Sequence, residues 1–323
     1  MVSIRGDQLD RIKADAYKVF FEAYDKVPTM HDKIFEVENS TGAYMQDNVL
    51  TGLGDLVKKP EGDDIVFERP GGGRVVIGKN NTFAKGIEFS QESIDDYGVE
   101  GVVNIMREYA KSWGDSLPRT KEKYAATFFN EGGKTAGHSI FNNSIPGKVI
   151  DPSGDLVYDG KPFFNLTGNA RSSLNGGTYY NGHALALSDT NLKTVYTTMT
   201  STAAYDENDE RISVRPEVML VPPGLKFTAE NILQATGVLG SANNDVNTVR
   251  GIVTPMEWSY LTDTDAWFLG VPKKGLKWSN RQEAVIDFYQ DPINKNYYAT
   301  IVARWGAWVN NWRFWAGSQF ATS

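Results

Sequence analysis

The chain has 323 residues, 41% hydrophobic and 12% aromatic, with a formal net charge of −7 and no cysteine. That composition supports a substantial buried core rather than disorder, and the missing thiols exclude disulfides, thiolate nucleophiles and cysteine zinc sites. The acidic balance argues against clinging to free nucleic acid, no run approaches the roughly 18 apolar residues of a membrane span, and no secretory signal opens the chain. A reducing cytoplasm fits. The N-x-S/T triplets at Asn39, Asn80, Asn142 and Asn165 are then read as chance. Length suggests about two domains of ~150 residues, or one core with large insertions.

Residues 7–26 keep helical spacing through Leu9, Ile12, Ala16, Val19, Phe20 and Ala23, with Asp7 as cap and Pro28 as stop. Residues 28–62 hold no period and read as an extended arm or loop. Two β-rich runs, Ile65 to Glu68 and Arg74 to Ile77, flank Pro70-Gly71-Gly72-Gly73. That pattern predicts a hairpin, because glycines supply the positive φ of a tight reversal. An isolated ribbon is marginal in water, so it needs a partner on its own domain or on another chain.

The stretch Ser90 to Trp113 organises the rest. Val99, Val102, Val103, Met106, Tyr109, Ala110 and Trp113 form one helical stripe, with Ser90 or Ser93 capping and Glu92, Asp95 and Asp96 near the positive end of the dipole. At 1.5 Å per residue it would span roughly 36 Å. Gly114 to Pro118 predicts a break, then a shorter helix over about 119–130. Residues 131–182 read as loop. A helix is expected over about 189–205, strands at Ile212–Val214 and Val218–Val221, a corner at Pro222-Pro223-Gly224, and a helix from Ala229 to Ala235 begun near Thr228. Beyond Gly251 the chain turns β-rich, and six of the eight tryptophans lie beyond residue 260, which predicts an aromatic C-terminal sheet. The order is that of an α+β chain.

Enzymatic constellations are missing. Gly132-Gly133-Lys134-Thr135 lacks the earlier glycine of a phosphate loop, since Phe128 stands there. His31, His138 and His183 are outside any metal-ligand spacing. Asp263 and Asp265, with Thr262 and Thr264, are read as a cap or turn ahead of Trp267. No nucleophile, base and orienter occur together, so the reading assigns no catalytic, cofactor or metal residue and expects no enzyme.

Four segments in order resemble the major capsid proteins of tailed bacteriophages, the Hong Kong 97 fold, and within them the Mu-like major head subunits. FSQESIDDYG at 89–98 is similar to the approach to the family's spine helix. YDGKPFFN at 158–165 resembles its D-G-x-x-L-F segment, with Phe163 for leucine. RPEVMLVPPGLKFTAENIL at 215–233 resembles its P-x-x-L-x-V-P-P-x-L segment, with Met219 in one apolar slot, and YLTDTDAWFLGV at 260–271 its L-x-D-x-x-A-W-F-L strand.

The resemblance implies an N-terminal arm (1–45) reaching a neighbour, an extended β-hairpin loop (46–89) lying across an adjacent subunit, and a peripheral domain with its spine helix (90–185). It also implies an axial domain (186–265) and C-terminal strands (266–323) that complete the core. The implied function is self-assembly, through pentamers and hexamers, into an icosahedral head around double-stranded DNA bound without sequence-specific contact. Assembly would occur in the host cytoplasm, with no membrane. The implied partners are portal, possibly decoration proteins and a scaffold, here a separate protein because the chain begins with Met and a short helix. Some members cross-link a loop lysine to a neighbouring asparagine; Lys58, Lys59, Lys79 and Lys85 are placed for it, but nothing marks a partner. Two alternatives stand beside this reading: an encapsulin-type nanocompartment shell, and a cytoplasmic α+β enzyme or glycan-binding module using the tryptophan-rich sheet.

Overall fold

The computed structural model describes residues 6–49, 56, 58–65, 67, 74–134, 159, 161–237, 246–293 and 296–321. Helix α1 (Gly6–Tyr24) is followed by a single turn, α2 (His31–Ile34), and strands β1 (Glu36–Asn39) and β2 (Tyr44–Val49). Next come β3 (Arg74–Lys79), β4 (Asn81–Phe89) and the long helix α3 (Gln91–Asn130). Short strands β5 (Arg171–Ser172), β6 (Thr178–Tyr179) and β7 (Gly182–His183) lead to α4 (Asp189–Thr197), which runs into a π-helical turn at Thr198–Thr202. Then follow β8 (Val218–Val221), α5 (Lys226–Gln234), β9 (Thr254–Glu257) and β10 (Trp267–Gly270). The long strands β11 (Leu276–Gln290) and β12 (Tyr297–Val309), then β13 (Trp315–Ser318), complete the chain.

The aromatic C-terminal third divides between two sheets instead of forming one. The first has order β1-β11-β12-β4, with β1 parallel to β11 and the rest antiparallel. Burial alternates along β12, so Tyr297, Ala299, Ile301, Ala303 and Trp305 face the helices. The second has order β7-β13-β10-β8-β9, and β8, β10 and β13 are buried at every residue, as strands covered on both faces must be. Ring-rich packing joins the layers: Phe129 meets Trp258, Phe268 and Trp315 edge-on, with centroids 5.2–5.6 Å apart.

Three further expectations are corrected. The break at Gly114–Pro118 does not occur, and α3 runs through both residues; its interruption is Gly98, at φ 68° and ψ 173°. An interior proline costs about 3 kcal/mol. Beyond it the helix buries Tyr124, Phe128 and Phe129 to 1% exposure or less, each contributing about 1.5–3 kcal/mol, which outweighs that cost. Second, β3 pairs with β2, from Tyr44↔Lys79 to Val49↔Arg74; of the run at 65–68 only Ile65 and Phe67 are described, neither in a strand, and the tip Pro70 to Gly73 lies outside the described residues. This ribbon is anchored on its own chain, with the backbone of Gly78 against the Trp308 ring. Third, Ile212–Val214 is not a strand. Within the chain itself, α1 and β1 lie against the body. Ile12, Ala16 and Phe20 of α1 pack with Val102, Met106, Ala110 and Trp113 of α3, and β1 joins the first sheet. The stripe that predicts α1 needs an apolar mate, and the matching stripe on α3 supplies it.

Candidate functional site

The residues singled out by sequence do not converge on one site. His31 lies on α2, and His183 is buried on β7, where burial pushes its pKa down to about 4; His138 and Thr135 lie outside the described residues. Asp263 Oδ1 accepts from the Asp265 amide at 3.4 Å, which makes this pair the turn expected before β10; burial and the Asp265 carboxyl raise the Asp263 pKa. Gly132 and Gly133 admit the Phe164 and Phe320 rings at distances a Cβ would violate, so their role is packing. Among the described residues, no three ligating side chains form a metal cluster.

Two buried polar junctions were not singled out from the sequence. At the first, Glu122 on α3 accepts at Oε1 from the Met30 amide (2.9 Å), the His31 amide (3.0 Å) and His31 Nδ1 (2.6 Å), and at Oε2 from Trp258 Nε1 (2.8 Å). Burial alone would raise its pKa, but the bonds from His31 and Met30 outweigh that and hold it below the ordinary value. At the second, the Arg171 and Arg313 guanidiniums both lie over the Trp312 ring, 4.7 and 4.6 Å from its centroid. Arg171 pairs with Asp159 at 2.7 Å and Arg313 with Glu207 at 2.8 Å. Both junctions tie the spine or a loop to the sheets, and neither opens on a substrate-sized cavity. A signal for the first existed: Glu122 is an acid on the otherwise apolar stripe Pro118, Ala125 and Phe129 of α3.

Surface features carry the binding capacity. Leu56, Ile65 and Phe67, in the excursion between β2 and β3, are exposed to 102%, 64% and 88%. A groove of about 820 Å³ lies between α3, β4, β12 and the turn at Ser259–Thr262. An exposed apolar segment is a common feature of protein–protein contact surfaces.

The comparisons agree. A family model described as phage capsid protein matches residues 76–317. This chain belongs to the phage capsid protein family. No curated protein matches it. Among solved structures, the capsid of cyanophage P-SCSP1u superposes with a TM-score of 0.52 at 11% identity, covering 92% of this chain and 89% of that one. A chain from Microbacterium phage Oxtober96 gives 0.51 at 10% identity, over 91% and 92%. At such identities the likeness is one of fold, and it matches the α+β Hong Kong 97-type architecture that the sequence motifs imply. The capsid protein is therefore a structural component of a phage head, located in the virion, and not an enzyme. As a phage capsid protein it self-assembles into a shell.

Proposed function

We propose that this capsid protein is a Mu-like major head subunit that builds the shell from pentamers and hexamers, each copy laying its excursion between β2 and β3 across a neighbour. One observation carries the reading: Leu56, Ile65 and Phe67 stand in solvent at the end of a ribbon whose base is anchored on the body. Burying each such side chain contributes about 1.5–3 kcal/mol, which a lone subunit forgoes and a neighbour supplies. Residues 46–89 then act as the extended loop, 90–185 as the peripheral unit and 186–265 as the axial unit, closed by strands from 266–323. Closed symmetry limits the growth of such contacts. Scaffold and portal proteins would direct closure, and the net charge of −7 favours an inner wall that does not hold packaged DNA tightly.

The test is expression with the neighbouring genes, followed by light scattering and electron microscopy. Megadalton icosahedral particles with a nucleic-acid content are expected. A stable monomer in the presence of the full gene set would overturn the proposal, and shells filled with a cargo enzyme would move the protein to the nanocompartment class.

A further inference from the structure

The sequence contains the dipeptide Asn-Gly twice, at Asn175-Gly176 and at Asn181-Gly182. In such a pair the backbone can turn on the neighbouring side chain, because glycine offers no Cβ to hinder the approach of its amide nitrogen to the asparagine Cγ. The fold places the two pairs in opposite surroundings. Asn181 is 4% exposed. Its Nδ2 donates to the carbonyls of Phe163 and Trp315, both at 2.9 Å, and its Oδ1 accepts from the Asn165 amide at 3.0 Å. The Gly182 amide donates to the Asn165 carbonyl at 2.9 Å. The nitrogen that would attack and the side chain it would attack are both tied down.

Asn175 and Gly176 lie in the loop between β5 and β6, and both are exposed. Gly176 stands at φ 96°, where any other residue would be strained, so the turn itself calls for the glycine. Among the described residues its amide donates to no acceptor. Asn175 Nδ2 donates to the Asn208 carbonyl at 2.7 Å. That bond is part of a dock between the hairpin and the turn at 205–210. The Leu174 amide donates to the Glu207 carbonyl at 2.9 Å, and the Asp209 carboxylate accepts from Ser173 Oγ, the Gly177 amide and the Tyr179 hydroxyl at 2.7–3.2 Å. The turn is acidic, with carboxylates at Asp206, Glu207, Asp209 and Glu210.

We propose that Asn175 is a site of spontaneous deamidation, and that the charge it gains undocks the β5–β6 hairpin from the turn at 205–210. The Gly176 amide nitrogen gives its proton to solvent hydroxide and bonds to Asn175 Cγ. The Cγ–Nδ2 bond breaks, and Nδ2 takes a proton from water and leaves as ammonia. Water then opens the cyclic imide, at Cγ to give aspartate or at the main-chain carbonyl to give isoaspartate. The net change is one water consumed, one ammonia released and one carboxylate gained. That carboxylate has no proton to donate to the Asn208 carbonyl, and it stands beside the acids already on the turn, which repel it. Ammonia is lost to solvent, so the step runs one way. The hairpin is thus a chemical clock: each ageing copy gains the charge once and loses the dock.

The full-length folded subunit is held at physiological temperature in mildly alkaline buffer. Peptides spanning both sites are then followed by mass spectrometry, with fragmentation that separates aspartate from isoaspartate. Both products should accumulate at Asn175, and faster as pH rises, because the attacking nitrogen must lose its proton. Asn175 should convert about tenfold or more ahead of Asn181, whose bonds must break first. In the denatured chain the two sites should convert at similar rates, which assigns the difference to the fold. Asn175 that stays intact in the folded subunit, or that converts no faster than Asn181, overturns the proposal, and so does a tenfold lead that persists in the denatured chain. The undocking is read in Asn175→Asp by hydrogen exchange. Protection of the Leu174 and Gly177 amides should fall by about tenfold, and by less in Asn175→Ala, which loses the bond without gaining the charge. Unchanged protection in Asn175→Asp, or an equal fall in both variants, overturns the charge-driven release.

Discussion

Substituting Glu122→Gln tests the reasoning about the buried junction. The carboxylate accepts from four donors, three at Oε1 and one at Oε2, at 2.6–3.0 Å. A glutamine of the same shape offers one carbonyl oxygen and one amide nitrogen, and that nitrogen can only donate. Either Trp258 Nε1–H or the Met30–His31 group then faces another donor. A buried donor left without an acceptor costs about 1–3 kcal/mol, and the bonds that survive lose their charge assistance, so the total is about 2–4 kcal/mol. Unfolding entropy of about 2.1 cal/mol/K per residue converts this into a fall in Tm of about 3–6 °C for a chain this long. Differential scanning calorimetry of the unassembled subunit at neutral pH measures it. The pH dependence has a definite sign. The folded-state pKa of Glu122 lies below its ordinary 4.5, so its contribution is present above that value and lost as pH falls through the folded-state pKa. The gap between wild type and variant should therefore narrow in acid. A Tm change under about 1 °C at neutral pH, or a gap that widens below pH 4.5, would refute the argument.

Three further outcomes follow from named contacts. Gly98→Ala places a side chain at φ 68°, ψ 173°, a region open essentially to glycine, and should cost about 1–3 kcal/mol in denaturant titrations. Gly114→Ala would put its Cβ 2.6 Å from Ala23 Cβ and 2.6 Å from the Phe20 carbonyl oxygen. The helix-propensity gain of about 1 kcal/mol is offset by overpacking of about 1–3 kcal/mol, so hydrogen exchange along α1 should accelerate, and unchanged protection there would contradict the close packing. Arg313→Met removes the guanidinium now bound to the buried Glu207 carboxylate through Nη1 at 2.8 Å, and should lower stability by about 3–5 kcal/mol; full stability would show that the pair is dispensable.

Much of the architecture was legible because periodicity reports which face of an element is buried. The stripe from Val102 to Trp113, the stripe from Ile12 to Phe20 and the run at Val218–Val221 all bury as their spacing requires. Asp263 and Asp265 form the turn that their short, backbone-seeking side chains favour. Glu122 carried a weak signal, an acid on an apolar stripe, but nothing local named Met30, His31 and Trp258 as its donors. The groove carried none, since its walls come from positions as distant as Phe83, Trp113, Tyr260 and Trp305.

By itself, then, the sequence determined an α+β chain, its amphipathic faces, and the motifs that mark a phage capsid protein. Tertiary structure alone decided that β3 pairs with β2, that α3 continues through Pro118, that α1 lies on α3, and that the aromatic strands divide between two sheets. The reason is physical: local spacing states that a face must leave water, whereas its mate is chosen by packing and backbone pairing between residues far apart in the chain.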